Sequence, residues 1–469
     1  MKRTTAAALA ALFAAACSDG TSIAPLAPDQ VGAAFVTGDI IVTNSNDAGP
    51  GSFRDAINQA INDGNISSIG FDPNVNTISL QSGIVFSGTQ NLVINANHAT
   101  LDAAAAGAGV TGFLATGGGD LTLIGLTVKN AGGQGVEVRV PATATGTVDV
   151  SLQDVVIINN AGHGFMVDDQ ANDSPASVNV SVTDSRVIGN GYSVSDRDGI
   201  RVNEGGTGSI TFASSNSRME DNAADGIELD EQGDGDVDID VAFTHLTRNG
   251  VFDPADLDDG FDIDEIGAGS IRGQVVSSSA NHNYEEGLDF NENDNGDLRV
   301  NLTDVEASYN REEGIDYEED DDSGNNGDIV ATMVRVTTHG NGVDGGDGGL
   351  KIREKQAGNL NVTLTNVTST MNSFAGIHVR ESSSGTATLS IDGAVTNGNT
   401  GNPADPAVPG NGIELIGTNT VSSFRNITSS TNTGFGLFVE AGTANISNVK
   451  GGGNGNGLTG GAATFVNVP

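Results

Sequence analysis

The chain has 469 residues, with 61 acids against 20 Lys and Arg, a formal charge of −41, 66 glycines, one cysteine and no tryptophan. Too few cations are present for a basic nucleic-acid binder, whose phosphate contacts need clustered Lys and Arg, and one cysteine excludes a disulfide-stapled scaffold. Past the N-terminus no apolar run reaches about 18 residues, so no transmembrane helix is expected. The 37% of hydrophobic residues recur at strand spacing, which a disordered chain lacks.

Residues 1–16, MKRTTAAALAALFAAA, place Lys2 and Arg3 before an Ala, Leu and Phe run that ends in small residues, the layout of an export signal. Cys17 follows Ala14-Ala15-Ala16 directly. This resembles a bacterial lipoprotein signal, although Ala14 stands where that family prefers leucine. The resemblance implies lipidation of Cys17 and an exported protein, secreted or held at the outer membrane or cell surface, touching the membrane only through its lipid. Residues 17–38 read as the lipidated N-terminus and a flexible tether. Removing residues 1–16 takes away two cations, so the mature charge is 18 − 61 = −43.

A glycine followed by an apolar-x-apolar triplet recurs at Gly135, Gly164, Gly199, Gly226, Gly260, Gly287, Gly314, Gly349, Gly376, Gly412 and Gly436. Four intervals are 27 residues and four are 34 to 36, one unit plus a loop. Asparagine stands four residues before six of these glycines, at Asn160, Asn222, Asn283, Asn310, Asn372 and Asn432. An acid stands five residues after eight of them, at Asp169, Glu204, Glu231, Glu265, Glu292, Glu319, Glu354 and Glu381. A second alternating strand follows, as in Val237-Asp-Ile-Asp-Val241. Period-2 strands this short cannot bury an apolar face alone, so successive units must stack. The expected fold is all-β: one right-handed parallel β-helix of about eleven or more coils. The asparagines are expected to hydrogen-bond from coil to coil, and the eight acids to accept backbone N–H bonds in a turn.

The repeat resembles the right-handed parallel β-helix superfamily of pectate-lyase-like solenoids over roughly residues 75–450. The stretch Val42 to Ile57, with Gly51-Ser-Phe-Arg-Asp-Ala-Ile57, followed by Ile69-Gly-Phe-Asp-Pro73, is similar to the CSLREAI-type N-terminal module of secreted bacterial β-helix proteins. Glycine stands here where that family has cysteine. Ser52 is expected to cap a short helix whose Phe53, Ala56 and Ile57 close the first coil. The organisation is therefore 39–110 for the N-terminal cap and first coils, 111–450 for the repeats and 451–469 for a C-terminal tail or cap. That superfamily hosts lyases, hydrolases, epimerases and adhesins, so the resemblance leaves function open.

Between Glu220 and Asp322 stand 33 acids against four cations, Arg248, Arg272, Arg299 and Arg311. Residues two and four after each glycine should point outward. The first such column reads Glu228, Asp262, Asp289, Asp316, and the second Asp230, Asp264, Asn291, Glu318. Stacked carboxylates about 5 Å apart repel unless protons or cations intervene, and oxygen-rich clusters suit Ca²⁺. Metal ligation is accordingly expected at Glu228, Asp230, Asp262, Asp264, Asp289, Asp316 and Glu318. The same columns continue into Lys351 and Arg353, then His378 and Arg380. All these side chains are expected to line one exposed face, with loops before Gly199, Gly260, Gly349 and Gly412 walling it.

The uronic-acid lyases of the superfamily use carboxylate-held Ca²⁺ with a Lys or Arg base, so the resemblance implies a catalytic set from Asp289, Asp316, Lys351, Arg353 and Arg380. Simple cross-coil pairing of Asp316 with Lys351 and Glu318 with Arg353 explains the same residues without chemistry. Gly162-His163-Gly164 looks like a polygalacturonase motif but falls on the repeat's own glycine, and the histidines have no metal-ligand spacing. With no Trp and four Tyr, little aromatic surface is expected for stacking sugars. The first reading is a non-catalytic surface, matrix or adhesion protein with a Ca²⁺-binding acidic face, its partner an acidic polysaccharide or another surface component. The alternative is a lyase or hydrolase acting on an acidic polysaccharide.

Overall fold

The computed structural model describes residues 38–468, except 170, 172, 253–257, 320–326, 347 and 403–407. The export signal, Cys17 and nearly all of the tether lie outside the described residues. The rest is a right-handed parallel β-solenoid of about 13 turns. Most coils supply three strands, as in Ile227–Glu231, Val237–Ala242 and His245–Thr247, and in later coils the second and third merge into one, as in Leu360–Thr370. The strands that follow the repeat glycines stack into one 14-stranded sheet, and the other two columns form a 26-stranded sheet. Neighbours pair in parallel, for example Ile227↔Phe261 and Leu229↔Ile263.

Alternation sorts the side chains. Residues one and three after the glycine turn inward, so Phe261, Ile263, Leu288, Phe290, Ile315 and Tyr317 are all at most 1% exposed. Phe290 meets Phe261 at 5.9 Å and Tyr317 at 5.0 Å, both edge to face. The Tyr317 hydroxyl donates to the Val300 carbonyl (3.2 Å), which satisfies its one polar atom in the core.

Two corners of the coil use left-handed backbone. One follows the second strand (Asp154, Asp184, Asn216, Asp304) and the other the third strand (Asn130, Asn159, Gly189, Asp221). Asn, Asp and Gly tolerate this conformation at least cost. Beside the second corner runs the asparagine ladder. Each side-chain amide donates to the next coil's amide oxygen, from Asn160 through Asn190, Asn222, Asn249, Asn283 and Asn310 onward, at 2.9–3.4 Å. Asn190, Asn249, Asn341 and Asn399 escaped the four-residue rule because the loops are inserted between them and their glycines.

The acids five residues after the glycine are buried and most bond the backbone of their own turn, as expected, but both carboxylate oxygens of Glu292 are buried without a hydrogen-bond partner. Glu204 accepts from Gly206 and Gly208 (both 3.2 Å), Glu231 from Gly235 (3.3 Å) and Glu381 from Gly385 (3.2 Å). At the N-terminal end one helix, Phe53–Asn62, buries Phe53, Ala56, Ile57 and Ala60, with the Ser52 side chain accepting from Asp55 N–H at 3.2 Å. Phe53 lies 5.0 Å from Phe71. Among the described residues no helix is long and apolar enough to cross a membrane.

Candidate functional site

The outward columns align on the 14-stranded sheet as the glycine register requires. Glu228 pairs with Asp262, Asp262 with Asp289, Asp289 with Asp316, Asp316 with Lys351 and Lys351 with His378. Two residues on, Asp230, Asp264, Asn291, Glu318, Arg353 and Arg380 form the second column. A third column stands just before the glycines, Asp198, Asp225, Asp259 and Glu286, where the carboxylates of Asp198, Asp225 and Asp259 each accept the backbone N–H of the next coil's member.

The expectation of an exposed face is corrected. Glu228, Asp230, Asp316 and Glu318 are only 8, 5, 3 and 9% exposed, and Asp262, Asp264 and Asp289 are half-buried. The reason is lateral. Three acid columns at strand spacing cover one another, and long cationic side chains lie across their ends. Arg380 alone of the named set is exposed. The rim loops before Gly260, Gly349 and Gly412 fall partly outside the described residues.

Buried cations cap the stack at both ends. Arg201, two residues after Gly199, pairs with Asp196 (2.8 Å), Asp198 (3.4 Å), Glu228 and Asp230. The sequence reading missed Arg201, although its position after the glycine is the same one that picked out Glu228. At the other end Lys351 pairs with Asp316, Glu313 (3.3 Å) and Glu318 (3.4 Å), and Arg353 with Glu318. The expected cross-coil pairs are therefore present. Burial opposes the charge on Lys351, but Asp316 and Glu313 outweigh it and hold its proton well above the usual lysine range.

Between these caps no cation among the described residues forms an ion pair with Asp262 or Asp289; Asp225 and Asp259 accept backbone N–H bonds, and Asn291 donates to Asp289 at 2.9 Å. Asp262 Oδ1 and Asp289 Oδ1 are buried with no hydrogen-bond partner. Candidate ligand atoms of Asp225, Glu228 and Asp262, and of Asp259, Asp262 and Asp289, all approach within 4.8 Å. Burial first, and the neighbouring acids second, push Asp225, Asp259 and Asp262 well above the carboxylate range. Asp264 is pushed up to about 6 and Asp289 to about 7, both chiefly by burial. A dry row of acids like this takes up protons or hard cations. Several such clusters exist, and they contain no histidine among the described residues. His163, buried and 3.1 Å from Asp198, accepts that residue's backbone N–H and so serves the fold.

No family model matches the chain, and no curated protein matches it. Among solved structures it is similar to the pectate lyase Pel9A, at 18% identity and a TM-score of 0.44 over 67% of this chain and 79% of that one. It is also similar to the catalytic domain of a GH87 alpha-1,3-glucanase in complex with tetrasaccharides, at 12% identity and a TM-score of 0.30 over 91% of this chain and 68% of that one. At identities this low the likeness is one of fold.

Proposed function

We propose that the chain is an exported, cell-surface β-solenoid that acts as a non-catalytic binding protein, with Ca²⁺ held by Asp225, Glu228, Asp259, Asp262 and Asp289. The observation that carries this reading is the pair of buried, unpartnered oxygens on Asp262 and Asp289, midway between the Arg201 and Lys351 caps. A hard divalent cation satisfies such oxygens and cancels the repulsion that otherwise forces protonation. Because Ca²⁺ takes about six to eight oxygens, its remaining coordination positions can accept an oxygen of an acidic polysaccharide or another anionic surface component. Lys351, ion-paired with Asp316, Glu313 and Glu318, is a poor general base, because these acids outweigh its burial and hold its proton. Export and the lipid anchor rest on residues 1–17 alone.

The alternative, an enzyme on an acidic polysaccharide, is favoured by one observation. Asp264 and Asp289 titrate near 6 and 7, where a general acid is useful. Ca²⁺ titration decides the first reading. Millimolar Ca²⁺ at pH 8 should raise the melting temperature by on the order of 5 °C. Asp262→Asn should be more stable than the parent without Ca²⁺ and should lose that response. An unchanged melting temperature removes the ion, while unsaturated products from pectate, alginate or glycosaminoglycans, seen by ultraviolet absorbance, establish the enzyme.

A further inference from the structure

Away from the acid stack, the left-handed corner after the third strand carries unusual residues in three successive coils. Most of that column is Asn, Asp or Gly, with Met371 and Thr431 farther on, yet here stand Arg248, His282 and Tyr309 at φ of 57°, 63° and 61°. Bulky side chains seldom hold this conformation, because the Cβ crowds the backbone. His282 and Tyr309 stack with ring centroids 5.0 Å apart and planes 6° from parallel, and His339 meets Tyr309 edge-on at 5.1 Å. The next coil makes room for the ring: a Cβ on Gly340 would come within 2.9 Å of Tyr309.

These residues, with Asn283, Tyr284 and Arg311, line a pocket of about 600 Å³, within the roughly 300–1,000 Å³ of small-molecule clefts. The Arg311 guanidinium lies 5.2 Å over the Tyr284 ring. The Tyr192 hydroxyl donates to the carbonyl of Asp221, whose carboxylate holds Arg248, and the Tyr192 ring meets Phe252 at 6.0 Å. Three of the chain's four tyrosines thus gather on one surface, with Tyr309 half exposed. The few aromatic side chains are brought together here because corners far apart in sequence stack in neighbouring coils.

We propose that this pocket binds a neutral glycan chain. With His282 and Gly340 packed against Tyr309 and Arg311 lying over Tyr284, the rings present chiefly their edges to solvent, and these edges can meet the apolar C–H side of a pyranose. Arg248 is tied through two hydrogen bonds to Asp221 (2.6 and 2.7 Å), and Arg311 to Asp344. These pairs present donors and acceptors together, which suits vicinal hydroxyls, and leave no net charge to attract an anion. The field of a chain at −41 repels polyanions besides. This goes beyond the cation-bridged binding proposed above and uses none of its residues.

The test uses the full chain in EDTA, so that failure of the cation reading does not touch it. Cellohexaose, laminarihexaose and maltohexaose are the probes, with trigalacturonate as the anionic control. Calorimetry reads binding, and so does tyrosine emission, which is clean because tryptophan is absent. At least one neutral hexaose should bind. Tyr309→Asn, which installs the residue natural to this corner, should weaken that binding by about tenfold or more without lowering the melting temperature. Tyr309→Phe should keep it. No binding by any neutral hexaose, equal binding by Tyr309→Asn, tighter binding of trigalacturonate, or a dimer that Tyr309→Asn dissolves would each overturn the proposal.

Discussion

Lys351 occupies the outward position of its coil that Asp316, Asp289 and Asp262 occupy in theirs, and one substitution of sign makes it the end of the acid stack. Its ammonium answers Asp316, Glu313 and Glu318 together. A buried pair adds little over an apolar replacement, but breaking one strands the remaining charges. Lys351→Met should therefore destabilise the protein by about 3 kcal/mol at pH 8, and by less at pH 5, where the stranded acids protonate. Denaturant unfolding at the two pH values checks this, and an equal loss at both would show that packing, not charge, is what Lys351 supplies. The pairing with Asp316 was readable from the glycine spacing alone, whereas the extra contact with Glu313 depended on how that column leans inward.

The asparagine ladder is the element that runs most evenly through the solenoid. Asn283 is fully buried; its oxygen accepts from the Asn249 backbone and side chain, and its amide donates to Asn310 and to the Leu246 carbonyl. Asn283→Ala removes all four bonds and leaves polar groups of two neighbouring coils without partners in a dry site. Such a loss should cost about 2 kcal/mol or more. Denaturant midpoints of this variant and of an exposed control, such as Asn301→Ala, give the comparison. Half of the ladder was visible as a fixed offset from the glycines. The other half was hidden, because inserted loops change sequence distance while leaving spatial distance between coils untouched.

Across the whole molecule, the inward acids form a second column of carboxyls behind the first. Burial pushes Glu231 up to about 9, and Glu265 and Glu292 to about 8. The folded chain then holds protons that the unfolded chain has already released above about pH 4.5, so stability falls as pH rises through the window from about 5 to 9. Glu318 has the opposite sign: Lys355, Lys351 and Arg353 outweigh its burial and hold it below the usual range, so its contribution is lost in acid. In EDTA the melting temperature should peak near pH 5 and drop by on the order of 5 °C or more by pH 9. A flat profile would mean that these carboxyls are ionised in the folded chain.

Sequence by itself determined the solenoid, its register and the membership of each column. In a stack of short coils the hydrogen-bond ladder ties each residue to its equivalent one repeat away, so Asp316 meets Lys351 wherever the loops go. Period-2 alternation likewise sorted Phe290 inward and Asp289 outward. What only the tertiary structure decided is lateral: that the outward acids lie buried or half-buried beneath one another and the long side chains of Arg201 and Lys351, and that Arg248, His282, Tyr284, Tyr309 and Arg311 share one pocket. Burial depends on which neighbouring columns lean together across a corner, and the repeat period carries no information about that angle.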